Sequence, residues 1–377
     1  MNESTTQDLM PPNRILLGPG PSMVPARVSQ AMAMPVVGHL DPYFLQVMDD
    51  VKELLRYAFQ TKNEFTIPVS GTGSSGMEAA LSNFIEPGDS VLIAVMGYFG
   101  ERMVEMAGRY GAEVDRLDAN WGEVFDTETI ATQLAKKKYK FVALVHGETS
   151  AGTLQPNIKE IAKAAHDNGA LLILDVIASL GGSPVQVDDW NVDVAFTATQ
   201  KALSASPGLA PITLSPRALE VLANRKTKVG NWYMDLTAVQ QYWGGERTYH
   251  HTAPVHLNYG LREALRIVAE EGLENRISRH AKNAEELWAG LEDLDLSLRV
   301  DKAHRMHTLT TVNVSPGIDV NVVRQRLLDE YNIEIAGGFG PLAGKIWRVG
   351  LMGHSSQREH ITLLLAALRE VMSSPQS

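Results

Sequence analysis

Three charged residues stand where ordinary surface charges are uncommon. Asp175 ends a run of five apolar residues, Lys201 lies just past another apolar run, and Arg348 lies between Trp347 and Val349 in a third. A carboxylate at a strand end is often only a helix cap, and a lysine among polar residues is usually solvated. An arginine inside an apolar strand, by contrast, needs a buried anionic partner.

A glycine-rich loop adds a fourth feature. Residues 71–76 read Gly-Thr-Gly-Ser-Ser-Gly, and they lie between a short apolar run (65–69) and a predicted helix, Met77 to Phe84. The spacing matches the dinucleotide fingerprint, but the next apolar run (91–95) lacks the terminal acid that would bind ribose hydroxyls. Because a helix N-terminus presents free N–H groups, we expect the loop to hold a phosphate that is not NAD's. A plain strand–helix turn is the alternative.

Together these features suggest one cofactor, pyridoxal 5′-phosphate. Its chemistry requires a lysine that forms a Schiff base, a carboxylate that faces the pyridine nitrogen, and a cup for the phosphate. The loop, Asp175 and Lys201 offer one candidate for each of these parts.

The elements that must position these residues follow an α/β pattern. Short apolar runs at 65–69, 91–95, 141–145, 170–174, 194–196 and 211–214 alternate with amphipathic stretches. Such runs predict strands that are buried on both faces, and the helices between them imply parallel crossovers. After an N-terminal arm (1–13), we therefore expect a large three-layer α/β/α domain with a mainly parallel sheet over residues 14–255.

The pattern changes in residues 256–377, where we predict a smaller α+β domain. One or two long helices are expected over 257–289 and should stop at Gly290. The remaining predicted elements are a strand at 309–313, a helix at 320–331 with Asp319 as its N-cap, a strand at 346–349 and a helix at 360–371. Two domains with a cleft between them are a common enzyme layout.

Composition excludes several classes of function. The 377 residues carry 34 Lys+Arg against 44 Asp+Glu, a net charge of −10, which argues against a nucleic-acid binder. With no cysteine, disulfides, thiolate metal sites and cysteine nucleophiles are excluded, and we expect no metal site. No stretch approaches the roughly 18 apolar residues of a membrane helix, and the N-terminus does not look like a signal peptide, so we expect a cytoplasmic protein with no membrane partner.

Residues 14–354 resemble the alanine–glyoxylate and serine–pyruvate aminotransferase family, which belongs to the class V, fold-type I pyridoxal-phosphate enzymes. The resemblance implies a large cofactor domain, a small C-terminal domain, and a homodimer with its active sites at the subunit interface. The matching stretches are Leu17–Ser22, Ser70–Gly73, His146–Ser150, Ser179–Gly182, Gln200–Leu203, Tyr249–Pro254, Gly337–Gly338 and Trp347–Leu351.

The resemblance also implies roles for single residues. Lys201 would hold the cofactor and later move a proton, Asp175 would keep the pyridine nitrogen protonated, and Arg348 would bind the substrate α-carboxylate. Other residues would contact the cofactor. The phosphate would be bound by Thr72, Gly73, Ser74 and Gln200, and by Tyr249 and Thr252 from the partner subunit, while Thr149, Ile177 and Phe99 would contact the ring. Phe99 stands where mammalian relatives have a tryptophan, so either Phe99 or Tyr98 could stack on the ring.

The expected reaction is a ping-pong transamination that converts L-alanine and glyoxylate to pyruvate and glycine. A serine–glyoxylate or serine–pyruvate aminotransferase is the near alternative, because one sequence does not reveal the donor. Within the fold, phosphoserine aminotransferase and kynureninase are also alternatives, whereas a cysteine desulfurase needs a cysteine that this chain lacks. The alternative from a different class is a non-catalytic or nucleotide-binding protein that shares only the glycine-rich loop.

Overall fold

The computed structural model describes residues 8–373. The first seven residues of the predicted arm lie outside that range, and residues 8–14 form no helix or strand.

The elements alternate between strands and helices for most of the chain. The strands are β1 Ile15–Leu16, β2 Phe65–Ser70, β3 Ser90–Val95, β4 Glu113–Asp118, β5 Phe141–Val145, β6 Gly147–Glu148, β7 Thr153–Leu154, β8 Leu171–Asp175, β9 Val194–Phe196, β10 Leu209–Leu214, β11 Leu309–Asn313, β12 Ile333–Glu334, β13 Ala336–Gly337 and β14 Ile346–Gly350. The helices are α1 Ala26–Met32, α2 Pro42–Phe59, α3 Gly73–Phe84, α4 Tyr98–Arg109, α5 Thr127–Leu134, α6 Ile158–Asn168, α7 Pro216–Ala223, α8 Leu236–Trp243, α9 Val255–Glu271, α10 Leu273–Glu292, α11 Val320–Tyr331 and α12 Arg358–Ser373.

A seven-stranded sheet in the order β2-β10-β9-β8-β5-β3-β4 forms the centre of the larger part. Strand β10 runs antiparallel to both of its neighbours, and the other adjacent pairs are parallel, which confirms the mainly parallel sheet. Every residue of β5, β8 and β9 is buried, which explains their unbroken apolar runs. Asp175 pairs with Val145 on one side and Phe196 on the other, so three strands end at the same edge.

The second part is built on the antiparallel sheet β11-β14-β13, which packs with α10, α11 and α12 around its own apolar core. The predicted cap of α11 is confirmed, since Asp319 accepts hydrogen bonds from the backbone N–H groups of Asn321 and Val322. The predicted stop at Gly290 is wrong. Gly290 lies inside α10, where a side chain would collide with Leu365 of α12, so this glycine permits close packing of two helices.

The two cores do not divide the chain at one point. Helix α9 packs in the larger core, whereas β1 pairs with β12 and Leu17 lies in the smaller core. The predicted boundary between residues 255 and 256 stays a prediction, and it falls at the start of α9. None of the helices within residues 8–373 combines the length and the apolar character that a membrane span needs.

Candidate active site

A cavity of about 110 Å³ opens where β2, β5, β8 and β9 end. Most of the predicted site residues line it, although they come from widely separated parts of the sequence, because the parallel strands bring their carboxyl ends to one edge. The predicted residues in its wall are Thr72, Gly73, Ser74, Phe99, Thr149, Asp175, Ile177, Gln200 and Lys201. Arg102, Val145, Gly147 and Ala178 complete the lining.

One end of the cavity is suited to an anion. Helix α3 begins at Gly73, and its N-cap residue Thr72 makes no side-chain capping bond. A Cβ on Gly73 would lie only 2.9 Å from the Ile177 side chain and 3.0 Å from that of Ala198, so the close approach of the loop to the sheet requires glycine. Free N–H groups at a helix N-terminus attract negative charge, which supports the predicted phosphate cup.

Arg102 gives this end of the cavity a positive charge that the sequence analysis missed. Its Nη1 donates a hydrogen bond to Ser74 Oγ at 3.0 Å, and its guanidinium lies 4.9 Å from the ring centre of Phe99. The sequence did offer one indication of this contact: Phe99 and Arg102 are three residues apart in α4, which puts both side chains on one helix face. Nothing in the sequence indicated that this face covers the glycine-rich loop.

Gln200 carries an unpartnered polar atom at the same place. Its Oε1 is buried and has no hydrogen-bond partner among the described residues. Since buried polar groups are nearly always paired, an unpaired amide in a cavity wall points to a ligand, which pairs with the amide oxygen if it is a donor and with the NH2 group if it is an acceptor.

Asp175 lies at the carboxyl end of β8, with its side chain almost fully buried. Its Oδ1 accepts a hydrogen bond from the N–H of Ile177 at 2.8 Å. Burial, helped by the nearby charge of Glu148, raises the pKa of Asp175 to about 7, although the Ile177 N–H and the charge of Lys201 act in the opposite direction. A buried carboxyl group with a raised pKa is stabilised in its ionised form when a positive charge lies beside it, so this position suits a cationic partner.

Lys201 is fixed from several sides. Ser22 Oγ donates to the Lys201 carbonyl at 2.7 Å, Arg276 donates to the next carbonyl at 2.7 Å, and the Lys201 amine donates to the carbonyl of Pro19. Burial lowers its pKa to about 8, although the charge of Asp175 opposes this shift. A neutral amine is therefore available near physiological pH, as a lysine nucleophile or base requires.

Arg348 does not line the cavity itself but lies directly behind its wall. It is buried in β14, where its Nε donates to the Gly337 carbonyl at 2.8 Å and its Nη1 lies 3.4 Å from the carbonyl of Thr149, a lining residue. Burial lowers its pKa to about 10, while Glu148 opposes this shift. The guanidinium thus stays positively charged at neutral pH, near the cavity.

Glu148 is a second residue whose role the sequence analysis missed, although it lies in a stretch that matched the family. Its fully buried carboxylate accepts hydrogen bonds from the backbone N–H of Phe99 at 3.1 Å and from Ser150 Oγ at 2.6 Å. These bonds attach the start of α4 to the segment that carries Thr149. Glu148 therefore positions two of the lining residues.

Tyr249 and Thr252 are not brought to this cavity within the chain. Tyr249 is 58% exposed, with its ring 5.3 Å from that of His39, and Thr252 is also exposed. Tyr98, the alternative to Phe99, likewise does not line the cavity, and its ring packs against Phe339 instead.

A family model for class-V aminotransferases matches residues 15–355. The chain belongs to the class-V aminotransferase family. A solved structure of an alanine–glyoxylate aminotransferase from Nostoc sp. is 52% identical, covers 99% of both chains and superposes with a TM-score of 0.95. The (S)-ureidoglycine–glyoxylate transaminase of Bacillus subtilis is 43% identical across 98% of this chain and 93% of its own. The alanine–glyoxylate aminotransferase of Drosophila melanogaster is 41% identical across 96% and 93%.

This membership confirms the predicted fold-type I architecture, the aminotransferase activity and the cofactor, pyridoxal 5′-phosphate. The cavity fits that cofactor on independent grounds. The N-terminus of α3 with its glycine at position 73 and the guanidinium of Arg102 mark a place for a phosphate, and Gln200, Asp175 and Lys201 lie in the same wall. The roles of the individual residues stay predictions.

Proposed function

We propose that this aminotransferase transfers the amino group of L-alanine to glyoxylate, which yields pyruvate and glycine. The observation that carries this proposal is the similarity to the Nostoc alanine–glyoxylate aminotransferase over 99% of both chains. The Bacillus subtilis relative supports glyoxylate as the acceptor, since its name includes the same keto acid. A serine–glyoxylate or serine–pyruvate activity is the alternative, and that relative makes ureidoglycine a further candidate donor.

The bound cofactor supplies an electron-withdrawing ring that stabilises negative charge at the substrate Cα. Lys201 would hold it covalently and, as a free amine, would move the proton at the substrate Cα. Its pKa of about 8 supports this role, because the neutral amine that accepts a proton is accessible at neutral pH. Asp175 holds a proton on the pyridine nitrogen. With a cation beside it, its carboxyl pKa falls from about 7 and the ionised form dominates.

The two ends of the site bind anions. Thr72, Gly73, Ser74 and Gln200 hold the phosphate, and Arg102 adds positive charge there. Arg348 binds the substrate carboxylate with its planar guanidinium. Phe99 is the better candidate for the ring-stacking residue, since it lines the cavity and Tyr98 does not. Ile177 and Thr149 line the same cavity, where the first would contact the ring and the second would offer it a hydroxyl group.

We also propose that the enzyme is a homodimer whose subunits complete each other's sites. Large apolar side chains are exposed in two segments, and Tyr249 and His39 connect these segments through their ring contact. The exposed side chains are Met34, Val36, Leu40, Tyr43, Trp232, Tyr233 and Tyr249. A surface of this kind is typical of an interface, and a second copy would bring Tyr249 and Thr252 of the partner subunit to the phosphate cup.

The reaction is tested by adding one donor at a time to the holoenzyme without a keto acid. L-alanine should bleach the cofactor's visible absorption and release pyruvate, and later addition of glyoxylate should restore the band and yield glycine. L-serine and (S)-ureidoglycine are the matched comparisons, and a much higher kcat/KM with either would replace alanine as the donor. Lys201→Ala should abolish both signals while far-ultraviolet circular dichroism stays unchanged; retained turnover would exclude its assigned role.

Subunit complementation tests the shared site. We expect the Lys201→Ala variant to be inactive and the Thr252→Ala variant to be weakly active, the latter through poor cofactor retention. After the two variants are unfolded and refolded together in equal amounts, about half of the dimers should be mixed, each with one site that has both native residues, so about a quarter of wild-type activity should return. If Thr252 serves the site of its own subunit, the mixture would be no more active than its components.

A further inference from the structure

The aromatic ring of Phe339 covers the guanidinium of Arg348. The Arg348 Cζ lies 4.4 Å from the centre of the Phe339 ring, which is within the range of a cation–π contact. Phe339 is in the loop that follows β13 and precedes a short 3-10 helix, Gly340–Leu342. Neither the sequence motifs nor the cavity lining had singled out this residue.

The contact matters because Arg348 has few other partners that fix its orientation. Its hydrogen bonds go to the backbone carbonyls of Gly337 and Thr149, and none of the ion pairs formed within residues 8–373 includes it. The charged groups that influence it are Glu148, which favours its charged form, and Arg324, which opposes it. A planar cation that must meet a carboxylate with two N–H groups needs its plane fixed beforehand.

Phe339 is itself held by rings from the larger part of the molecule. Its ring centre lies 4.8 Å from that of Tyr98 and 6.4 Å from that of Trp121, and both pairs are edge-to-face. Tyr98 starts α4, the helix that carries Phe99 and Arg102. The ring of Phe339 therefore connects Arg348, in the smaller sheet, with the helix that forms the cofactor side of the cavity.

The backbone around Phe339 is shaped to present this ring. A side chain on Gly338 would lie 2.2 Å from the Leu342 carbonyl oxygen, and Gly340 has a φ of +56° with its Cβ direction toward Trp121. Glycine at both positions lets the loop turn tightly and places the intervening phenylalanine between the two parts of the molecule.

We propose that Phe339 is a positioning residue for substrate binding: it fixes the guanidinium plane of Arg348 so that this arginine meets the carboxylate of the amino acid or keto acid. The inference rests on the proposed function, because it requires a carboxylate substrate at Arg348. It adds a residue whose effect falls on carboxylate affinity and leaves proton transfer at the substrate Cα unchanged.

The test uses the holoenzyme with propionate, a carboxylate that lacks the amino group and cannot react. Phe339→Leu keeps apolar volume but removes the π face, and Phe339→Tyr keeps the face. We expect Phe339→Leu to raise the Kd of propionate and the KM of L-alanine about tenfold, as the loss of a desolvated cation–π contact implies. Phe339→Leu should change kcat and cofactor affinity less than twofold. Phe339→Tyr should keep the propionate Kd and the L-alanine KM at their wild-type values. Equal propionate affinity in Phe339→Leu and wild type would overturn the proposal.

A double-mutant cycle with Arg348→Gln separates positioning from simple packing. If Phe339 acts through Arg348, Phe339→Leu should have no further effect on propionate affinity once the guanidinium is gone. A full additional loss would show that the ring acts in another way. Failure of the proposed function is distinguishable, because the wild-type enzyme would then fail to convert L-alanine and glyoxylate. An unchanged Kd in Phe339→Leu beside an active wild type would contradict only the role of Phe339.

Discussion

Replacement of Arg102 by methionine should weaken the binding of pyridoxal 5′-phosphate through its phosphate group alone. The guanidinium donates to Ser74 Oγ at 3.0 Å, in the first turn of α3, and it stands on the Phe99 ring. A phosphate bound at this turn would lie beside the guanidinium, and a charge-assisted hydrogen bond between the two would contribute about 1.5–3 kcal/mol. Arg102 is partly exposed, so we expect the lower end of that range, which corresponds to roughly a tenfold increase in Kd.

The assay compares two ligands on the cofactor-free protein, pyridoxal 5′-phosphate and pyridoxal, by titration of visible absorption. Wild type should bind pyridoxal 5′-phosphate far more tightly than pyridoxal. Arg102→Met should lower the ratio of the pyridoxal Kd to the pyridoxal 5′-phosphate Kd about tenfold, with little change in the Kd of pyridoxal itself. Arg102→Lys, which keeps the charge, should give an intermediate ratio. Arg109→Met is the matched control, because Arg109 lies in the same helix, is mostly exposed and pairs with Glu105. An unchanged ratio in Arg102→Met would refute the reasoning.

Two further predictions concern the lysine and the packing of the site. In the cofactor-free protein, modification of Lys201 by an amine-directed reagent should rise with a midpoint near pH 8, because burial lowers its pKa to about 8. Asp175→Asn should move the midpoint lower, since the Asp175 charge raises that pKa; peptide mass spectrometry measures both, and an unmoved midpoint would contradict the coupling. Gly350→Ala should lower stability by roughly 1–3 kcal/mol, because its Cβ would lie 1.9 Å from the Gly18 carbonyl oxygen. Thermal unfolding measures this, and Gly108→Ala, in open space within α4, should leave stability equal or slightly higher.

The sequence predicted the buried strands well because burial on both faces leaves an unbroken apolar run. The predicted bounds 141–145, 194–196 and 309–313 agree with β5, β9 and β11. Strand β4 was missed, because it lies at the sheet edge and its sequence, Glu-Val-Asp-Arg-Leu-Asp, is largely polar. The antiparallel direction of β10 was also not predictable, since an apolar run carries no information about direction.

The positions of charged residues at the ends of predicted strands, together with the family motifs, pointed to site residues that the structure does bring together. Asp175 and Lys201 could be predicted from the sequence because each lies at or just past the end of a recognisable strand. All three predicted residues of the glycine-rich loop line the same cavity as these two residues. The roles of Arg102, Glu148 and Phe339 could not be predicted from the sequence in this way. Each acts through a side-chain contact, Arg102 with Ser74, Glu148 with Phe99 and Phe339 with Arg348, and such contacts follow from tertiary packing.

The distance between Lys201 and Arg348, the two groups that we propose to handle the substrate, depends on a segment that contributes nothing to the cavity wall. Lys201 follows a strand of the larger sheet, whereas Arg348 belongs to the smaller one. Residues 17–22 contact the strand that carries Arg348 and the backbone of Lys201. The Leu17 carbonyl accepts a hydrogen bond from the Gly350 N–H at 2.7 Å, and Ser22 Oγ donates one to the Lys201 carbonyl. In the roles that we propose, an amino acid must place its carboxylate at Arg348 and its Cα at Lys201 at the same time. On this proposal, selectivity for α-amino acids depends on this N-terminal segment as well as on the residues that would touch the substrate.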